Sequence, residues 1–213
     1  MKADIFEGNV EDEFQNILIK PANIETIQLD YKEAVKLITD SLSLYPKLRL
    51  LDLYFGQNPL LPFLFKGSPI SYFGFETSNE LIQKSKTTYQ YYIRQRKAVF
   101  SEFDGLHVPY VMNFFHRVLS IDPKIAPFHI EAYLQEIFRV MAPGGIMVFT
   151  YKTQNYEECL GLIQRVQRSS FRIDDLKVLN MDLNRETDTG YRTVFFILEK
   201  PEIKKKSVDP NHN

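Results

Sequence analysis

Short apolar runs alternate with amphipathic segments along most of this chain, and this alternation constrains the fold more than any other feature of the sequence. In the amphipathic segments the apolar residues recur at helical spacing, which is typical of helices that bury one face. The runs between them are short and bounded by turn residues, which is typical of buried strands. The predicted strands span Leu48–Phe55, Ile70–Glu76, Ala98–Phe103, Val108–Phe115, Ile146–Tyr151, Phe171–Leu183 and Tyr191–Lys200.

Helices are predicted between most of these strands. Asn58 and Pro59 are a helix-start signal, because Asn caps helices and Pro lacks only an N–H that the first turn leaves unpaired. The predicted helices span Tyr31–Leu44, Pro59 to Lys66-Gly67, a segment that opens at Ser78, Ile130–Met141 and Tyr156–Gln167.

Strands that alternate with helices predict an α/β fold in which parallel strands form one sheet with helices on both faces. The last two predicted strands are joined by the polar loop Asn184–Gly190 without a helix, so they should pair antiparallel. We therefore expect a mostly parallel sheet of seven strands with one reversed strand at or near its edge. In such sheets ligands bind beyond the carboxyl ends of the strands, next to the first one.

Three segments are expected along the chain. Residues 1–46 are predicted to form an N-terminal segment whose helix packs on the core, and residues 47–200 to form the α/β domain. Residues 201–213, which include the run Lys204-Lys205-Lys206, are predicted to be a disordered tail.

Composition and charge exclude several classes of function. The 26 Lys and Arg residues nearly balance the 27 Asp and Glu residues, so no overall field favours nucleic acid or an acidic membrane surface. The acidic N-terminus does not resemble a signal peptide, and no apolar run approaches the ~20 residues that span a bilayer. A single cysteine, Cys159, excludes an internal disulfide and suits a reducing cytoplasm. His107 and His129 lack partners at metal-ligand spacing, so no metal site is expected.

The segment from Glu136 to Thr150 reads EIFRVMAPGGIMVFT, an amphipathic helix that runs through Pro143-Gly144-Gly145 into a buried strand. Together with Phe195–Pro201 and the order of the elements, this segment resembles the class I S-adenosylmethionine-dependent methyltransferases. The resemblance covers roughly residues 47–200. It implies a Rossmann-like fold, S-adenosylmethionine as cofactor and S-adenosylhomocysteine as product.

In that family the first strand ends in an acid, and a glycine-rich loop follows that wraps the methionine part of the cofactor. Asp52 and Gly56 match the acid and the middle glycine, whereas Tyr54 and Asn58 stand where two further glycines would be. Glycine permits positive φ and a close approach of the backbone to the ligand. Tyr54 therefore either fills part of the cofactor space or turns aside and leaves it open.

The resemblance supplies the remaining cofactor candidates. Glu76 ends the second predicted strand, where the family has an acid that accepts hydrogen bonds from both ribose hydroxyls. Asp104 resembles the acid that reads the adenine amino group. Thr77 and Gly105, which follow these acids directly, complete the predicted set. Each acid also has a purely structural interpretation as a turn or cap residue.

Catalytic candidates are fewer. Asn113 and His116 are predicted to lie at the carboxyl end of the fourth strand, the region where this family places residues that face the methyl acceptor. The sequence Asn113-Phe114-Phe115-His116 is similar to the Asn-Pro-Pro-Tyr motif of amino-directed methyltransferases only in its Asn. His116 has the chemistry of a base near neutral pH, and its structural interpretation is a residue that anchors a loop.

These patterns predict a methyltransferase that acts on a small molecule or a protein. The alternative is a catalytically silent member of the fold that serves as a binding or regulatory subunit, with a protein partner or as a homodimer. That alternative predicts an exposed aromatic patch near the altered loop, drawn from Phe55, Phe63, Phe65, Tyr72 and Phe73.

Two further interpretations rest on short segments of the sequence. The segment Gly56–Pro62 is loosely similar to the loop of nicotianamine synthases, which transfer aminocarboxypropyl groups. The stretch Tyr89–Lys97 interleaves aromatic and basic residues, as some surfaces that bind single-stranded nucleic acid do. It is more typical of a helix end that packs its tyrosines on the sheet, so nucleic acid is not an expected partner.

Overall fold

The computed structural model describes residues 26–27, 31–56, 60–67, 70–179 and 192–202. They form one sheet of eight strands in the order β1-β7-β8-β6-β5-β2-β3-β4. The strands are β1 (Thr26–Ile27), β2 (Arg49–Leu53), β3 (Ser71–Glu76), β4 (Ala98–Glu102), β5 (Phe115–Ser120), β6 (Met141–Thr153), β7 (Arg172–Leu179) and β8 (Arg192–Glu199). Every neighbouring pair is parallel except that β8 runs antiparallel to β6 and to β7. The predicted sheet of seven strands with one reversed strand is confirmed, and the two-residue β1 extends it at the β7 edge.

The helices follow the predicted order. They are α1 (Tyr31–Leu42), α2 (Leu61–Gly67), α3 (Asn79–Thr88), α4 (Gln90–Arg94), α5 (Ile130–Val140) and α6 (Tyr156–Gln167). Ser78 is the N-cap of α3, and its hydroxyl accepts a hydrogen bond from the Leu81 amide. The predicted cap at Asn58 and Pro59, the loop Asn184–Gly190 and the tail after Glu202 lie outside the described residues.

The sheet has an apolar core on each face. Neighbouring residues of β2 point to opposite faces, so Leu51 belongs to one core and Leu50 to the other. The first core contains the buried faces of α5 and α6, and the second contains those of α1, α2 and α3. Helices therefore cover both faces of the sheet, as predicted. No helix among the described residues is long and apolar enough to cross a membrane.

The basic, tyrosine-rich stretch packs partly on the second core. Tyr89 stacks on Phe100 of β4 with ring centroids 5.8 Å apart. Tyr92 also contacts this core, whereas Tyr91 is exposed. Two of the tyrosines therefore serve the packing of the helix end.

The fourth strand was predicted over Val108–Phe115, and this prediction is wrong: β5 begins at Phe115. In the preceding segment, the backbone is hydrogen-bonded by side chains of α5 and not by a neighbouring strand. Glu136 accepts a hydrogen bond from the Val108 amide (2.8 Å), and Arg139 donates to the carbonyls of Val108 (3.0 Å) and Tyr110 (2.8 Å). The apolar run 108–114 is therefore a loop clamped against a helix, although it has the composition of a strand.

Candidate functional site

Asp52 lies in β2, and its side chain is buried. The Tyr72 hydroxyl donates a hydrogen bond to Asp52 Oδ2 over 2.8 Å. The Tyr72 ring reaches this carboxylate by crossing Gly74, where an added Cβ would lie only 2.9 Å from Tyr72 Cε1. Burial, followed by the charge of Asp52, raises the pKa of Tyr72 well above its ordinary value. Asp52 is thus bound to a neighbouring strand as well as placed at the candidate site.

The turn after β2 keeps a backbone that favours glycine. Tyr54 has φ of 56° and Gly56 has φ of 45°, so two of the three positions that correspond to loop glycines of the family are left-handed, and the third, Asn58, lies outside the described residues. The Tyr54 amide donates to the Phe75 carbonyl of β3 (2.8 Å), which holds this geometry in place. A left-handed conformation costs a residue other than glycine about 1–2 kcal/mol. The turn therefore carries strain at Tyr54.

The side chain of Tyr54 folds over the carboxyl ends of β2 and β4 and is only 9 % exposed. Its ring packs edge-on against Phe103 with centroids 5.1 Å apart, and its hydroxyl donates to the Gly105 carbonyl over 2.8 Å. Burial, then the charges of Glu76 and Asp104, raise the pKa of Tyr54 to about 12. Tyr54 is therefore a neutral hydrogen-bond donor at physiological pH, and it joins the two turns that the resemblance assigns to the cofactor.

Glu76 ends β3 and is 3 % exposed. Its Oε2 accepts the Gly56 amide N–H (2.9 Å), while its Oε1 accepts the amide (2.8 Å) and the hydroxyl (3.2 Å) of Thr77. Each carboxylate oxygen thus bonds the chain itself. In this conformation Glu76 organises the turn after β2.

Asp104 and His107 form an exposed pair at the turn after β4. Asp104 Oδ1 accepts the amides of His107 (2.6 Å) and Leu106 (2.8 Å), and Oδ2 lies 2.8 Å from His107 Nδ1. The hydrogen bond from the His107 amide, then that from Leu106, lower the pKa of Asp104 to about 2. Asp104 is a fixed anion beside Gly105.

The predicted cofactor residues therefore meet at one edge of the sheet. Hydrogen bonds connect Gly56, Glu76 and Thr77 in one group and Tyr54 with Gly105 in another. Parallel neighbouring strands end at the same edge, which explains why residues distant in the sequence become neighbours here. Asp52 lies beneath this edge and Asp104 is exposed beside it.

The predicted acceptor-facing position of Asn113 and His116 is wrong. Both lie at the amino end of β5: Asn113 precedes the strand, and His116 is its second residue. Lys200 Nζ donates to Asn113 Oδ1 (2.8 Å), and the Arg49 amide donates to His116 Nδ1 (3.0 Å). Burial, then the charges of Arg49 and Arg117, lower the pKa of His116. The two side chains anchor the edge of the sheet opposite to the cofactor candidates.

Asp122 is the acid that follows the carboxyl end of β5, and the sequence analysis missed it. It has φ of 45°, and its Oδ1 accepts the Thr150 hydroxyl over 2.9 Å. Lys152 Nζ lies 3.8 Å from Asp122 Oδ2. The pair Asp122-Pro123 directly after an apolar run was the available signal. A strand predicted over Val108–Phe115 ends before this pair, whereas β5 ends at Ser120, just ahead of it.

Those residues of the proposed aromatic patch whose side chains the structure describes do not form an exposed patch. Phe55 and Tyr72 are buried, and Phe73 is partly buried against Tyr110 and Phe114. Phe63 is 49 % exposed, and the side chain of Phe65 is outside the described residues. Exposed apolar side chains lie elsewhere, at Val111, Met112 and Phe128.

Within the described ranges, no group of three or more His, Cys, Asp or Glu side chains is arranged to hold a metal ion. Cys159 is buried in α6, and burial raises the pKa of its thiol.

No family model matches the sequence, and no curated protein sequence matches it. Solved structures do match the fold. The [4+2]-cyclase SpnF aligns with a TM-score of 0.68 and 15% identity over 80% of this chain and 80% of that one. Geranyl diphosphate C-methyltransferase from Streptomyces coelicolor A3(2), in complex with Mg²⁺, geranyl diphosphate and S-adenosylhomocysteine, aligns at 0.66 and 9% over 79% and 80%.

A chain from the complex between the Haloferax volcanii Trm112 methyltransferase activator and a protein assigned as a methyltransferase aligns with a TM-score of 0.59 and 15% identity. The alignment covers 79% of this chain and 90% of that one. Identities this low establish the architecture alone. The protein described here has the Rossmann-like fold of the class I S-adenosylmethionine-dependent methyltransferases.

Proposed function

We propose that this protein binds S-adenosylmethionine at the carboxyl edge of β2, β3 and β4 and is a methyltransferase for a small-molecule or protein acceptor, with S-adenosylhomocysteine as product. The observation that carries the proposal is the meeting of Gly56, Glu76, Thr77 and Gly105 at that edge, around a turn with glycine-type φ angles. When bound, S-adenosylmethionine supplies an activated methyl group.

The residues fit this cofactor only in part. A carboxylate at the position of Glu76 has two oxygens that suit two ribose hydroxyls, and Asp104 is a fixed anion at the adenine side. In the present conformation, however, Glu76 accepts hydrogen bonds from Gly56 and Thr77, and Tyr54 lies across the turn. The arrangement therefore fits the cofactor only once Tyr54 and the Gly56 amide move.

Under this proposal Asp122 takes the place of Asn113 and His116 as the candidate that faces the acceptor. It follows β5, the strand beside β2, and therefore lies at the same edge as the cofactor candidates. Its bonds to Thr150 and Lys152 hold the carboxylate in a defined position. Proximity and orientation supply much of the acceleration of a displacement reaction, so such a fixed group is suited to position an acceptor.

Calorimetric titration of the purified protein with S-adenosylmethionine and S-adenosylhomocysteine tests the proposal. We expect binding that Glu76→Gln weakens by roughly 1.5–3 kcal/mol, the value of a hydrogen bond to a charged acceptor. Glu102→Gln is the matched control, because Glu102 pairs in register with Glu76 but is exposed. Asp122→Asn is also expected to leave the affinity unchanged. Equal affinities of Glu76→Gln and the unmodified protein would contradict the role of Glu76.

The second candidate function is a catalytically silent binding or regulatory subunit. The burial of Tyr54 in the turn favours it, because a disused cofactor site tolerates a side chain there. A protein partner or a homodimer would then carry the function, and the Haloferax complex is a neighbour of this fold that was solved with an activator. No heat of binding and no thermal stabilisation by either ligand at millimolar concentration would favour this candidate.

A further inference from the structure

We propose that Tyr54 is a gate residue: its side chain closes the cofactor site in the free protein and has to leave Phe103 and Gly105 before S-adenosylmethionine binds. This inference rests on the proposed function and concerns how the same site is regulated. It explains the partial misfit of the cofactor by two conformations of the site, one closed by Tyr54 and one open.

The closed state is held by a hydrogen bond and by ring contacts of Tyr54. The Tyr54 hydroxyl donates to the Gly105 carbonyl over 2.8 Å, and its ring packs edge-on against Phe103 at 5.1 Å and lies 6.3 Å from Tyr133. A Cβ built on Gly105 would lie 2.8 Å from the Tyr54 hydroxyl oxygen. The closed position of Tyr54 therefore requires glycine at 105, so the two turns are matched to each other.

The contacts that hold the closed state are few. One neutral hydrogen bond, to the Gly105 carbonyl, and the packing of one ring against Phe103 and Tyr133 keep the Tyr54 side chain in place. An open state therefore lies within reach of the binding energy of a ligand.

Opening also bears on Glu76. The Gly56 amide that occupies Glu76 Oε2 lies two residues after Tyr54 in the same turn. A rotation of the turn that carries Tyr54 away from Gly105 also moves this amide. The carboxylate is then released for the ribose hydroxyls. The gate thus couples two of the predicted cofactor contacts in one movement.

The test compares S-adenosylmethionine binding by the full-length protein and two variants. In Tyr54→Phe the ring remains and the hydroxyl is lost; in Tyr54→Gly both are lost and the backbone strain is relieved. The apparent affinity is proportional to the fraction of protein that is open. We therefore expect binding about fivefold tighter for Tyr54→Phe, the factor that one neutral hydrogen bond represents. For Tyr54→Gly we expect binding more than about tenfold tighter.

Tyr151→Phe is the matched control. Its hydroxyl also donates to a backbone carbonyl, that of Ile125, over 2.9 Å, but on β6. We expect it to leave the affinity unchanged. Stopped-flow measurements add an independent signature. The binding rate of the unmodified protein should level off at high ligand concentration, where opening becomes limiting, whereas that of Tyr54→Gly should rise linearly.

The outcomes separate the gate from the proposed function. Equal affinities and equal concentration dependence for the unmodified protein and Tyr54→Gly would overturn the gate and leave the proposed function standing. Absence of binding by every variant would contradict the proposed function and with it the gate. Thermal unfolding confirms that each variant is folded, and Tyr54→Phe, which keeps the ring, carries the test should Tyr54→Gly fail to fold.

Discussion

Tyr54 combines a left-handed backbone, with φ of 56°, and a ring that is part of the first core. Its backbone conformation is set by its position in the turn. Its side chain packs against Phe103 and donates a hydrogen bond to the Gly105 carbonyl. Sequence reasoning identified Tyr54 as the critical departure from the family pattern. It could not decide between a ring that fills the site and one that turns away, because that choice depends on neighbours about 50 residues distant.

The backbone strain at Tyr54 is measurable by comparing Tyr54→Ala with Tyr54→Gly. Both variants lose the ring, but only glycine relieves the left-handed conformation. We expect Tyr54→Gly to be the more stable of the two by about 1 kcal/mol, although glycine ordinarily destabilises folded chains. Urea unfolding at constant pH measures the difference. An alanine variant as stable as the glycine variant would mean that the turn relaxes without strain.

The lowered pKa of Asp104 predicts that the stability of the fold depends on pH in the acidic range. Its folded pKa of about 2 lies below its ordinary 3.8, so its contribution is fully present above about pH 4 and is lost as the pH falls towards 2. Asp104→Asn removes this contribution, so the stabilities of the two proteins should converge over that range. Carboxyl titration by NMR tests the assignment directly. A titration midpoint of Asp104 near 4 would show that its hydrogen bonds to Leu106 and His107 do not persist in solution.

At the scale of elements, strand β3 and helix α6 each contain a glycine, and we expect replacement by alanine to change the stability in opposite directions at the two positions. An added methyl group at Gly74 would lie 2.9 Å from Phe55 and from Tyr72, whereas one at Gly161 meets nothing within 4 Å. We expect Gly74→Ala to destabilise the fold by about 1–3 kcal/mol through overpacking. Gly161→Ala should stabilise it by roughly 0.5–1 kcal/mol, because alanine favours helix interiors.

Denaturant unfolding of the two alanine variants, each against the unmodified protein, measures both effects. The variants serve as controls for each other, since the chemical change is identical. A Gly74→Ala protein of undiminished stability would mean that Tyr72 moves away and that its bond to Asp52 contributes little. Spectrophotometric titration of Tyr72 in that variant would reveal such a movement.

The clamped loop before β5 shows how an element is decided by its partners. Residues 108–114 are apolar and aromatic enough for a strand, yet Glu136 and Arg139 bond the backbone of this segment from α5. Pro109 has no amide hydrogen to donate to a neighbouring strand, so it is a local indication against a central strand here. The helical spacing of Glu136 and Arg139 was visible in the sequence, but the segment that they bond was not.

At the scale of the molecule, the two edges of the sheet have different tasks. The carboxyl edge holds Gly56, Thr77 and Gly105, while the amino edge holds side chains that anchor the loops, among them Asn113 and His116. A ligand that binds the folded state protects the region that it contacts from local opening. The location of protection therefore reports the location of the site.

Hydrogen exchange in the presence of saturating S-adenosylmethionine measures this. We expect slower exchange at the amides of Thr77 and Gly105. The amides of Arg49 and Phe114 at the amino edge should be unchanged. Protection confined to the amino edge would place the ligand on the wrong side of the sheet and contradict the proposed site. The S-adenosylhomocysteine complex provides the matched measurement without the methyl group.

The sequence by itself determined the order of helices and strands, the parallel sheet with one reversed strand and the cap at Ser78, because periodicity and capping are local properties of the chain. Only the tertiary structure decided where β5 begins, and hence that Asp122 rather than His116 ends up at the carboxyl edge. It also decided that Tyr54 turns onto Gly105. The hydrogen-bond partners that settle these choices come from residues 28 to 51 positions away, and no local pattern in the sequence specifies them.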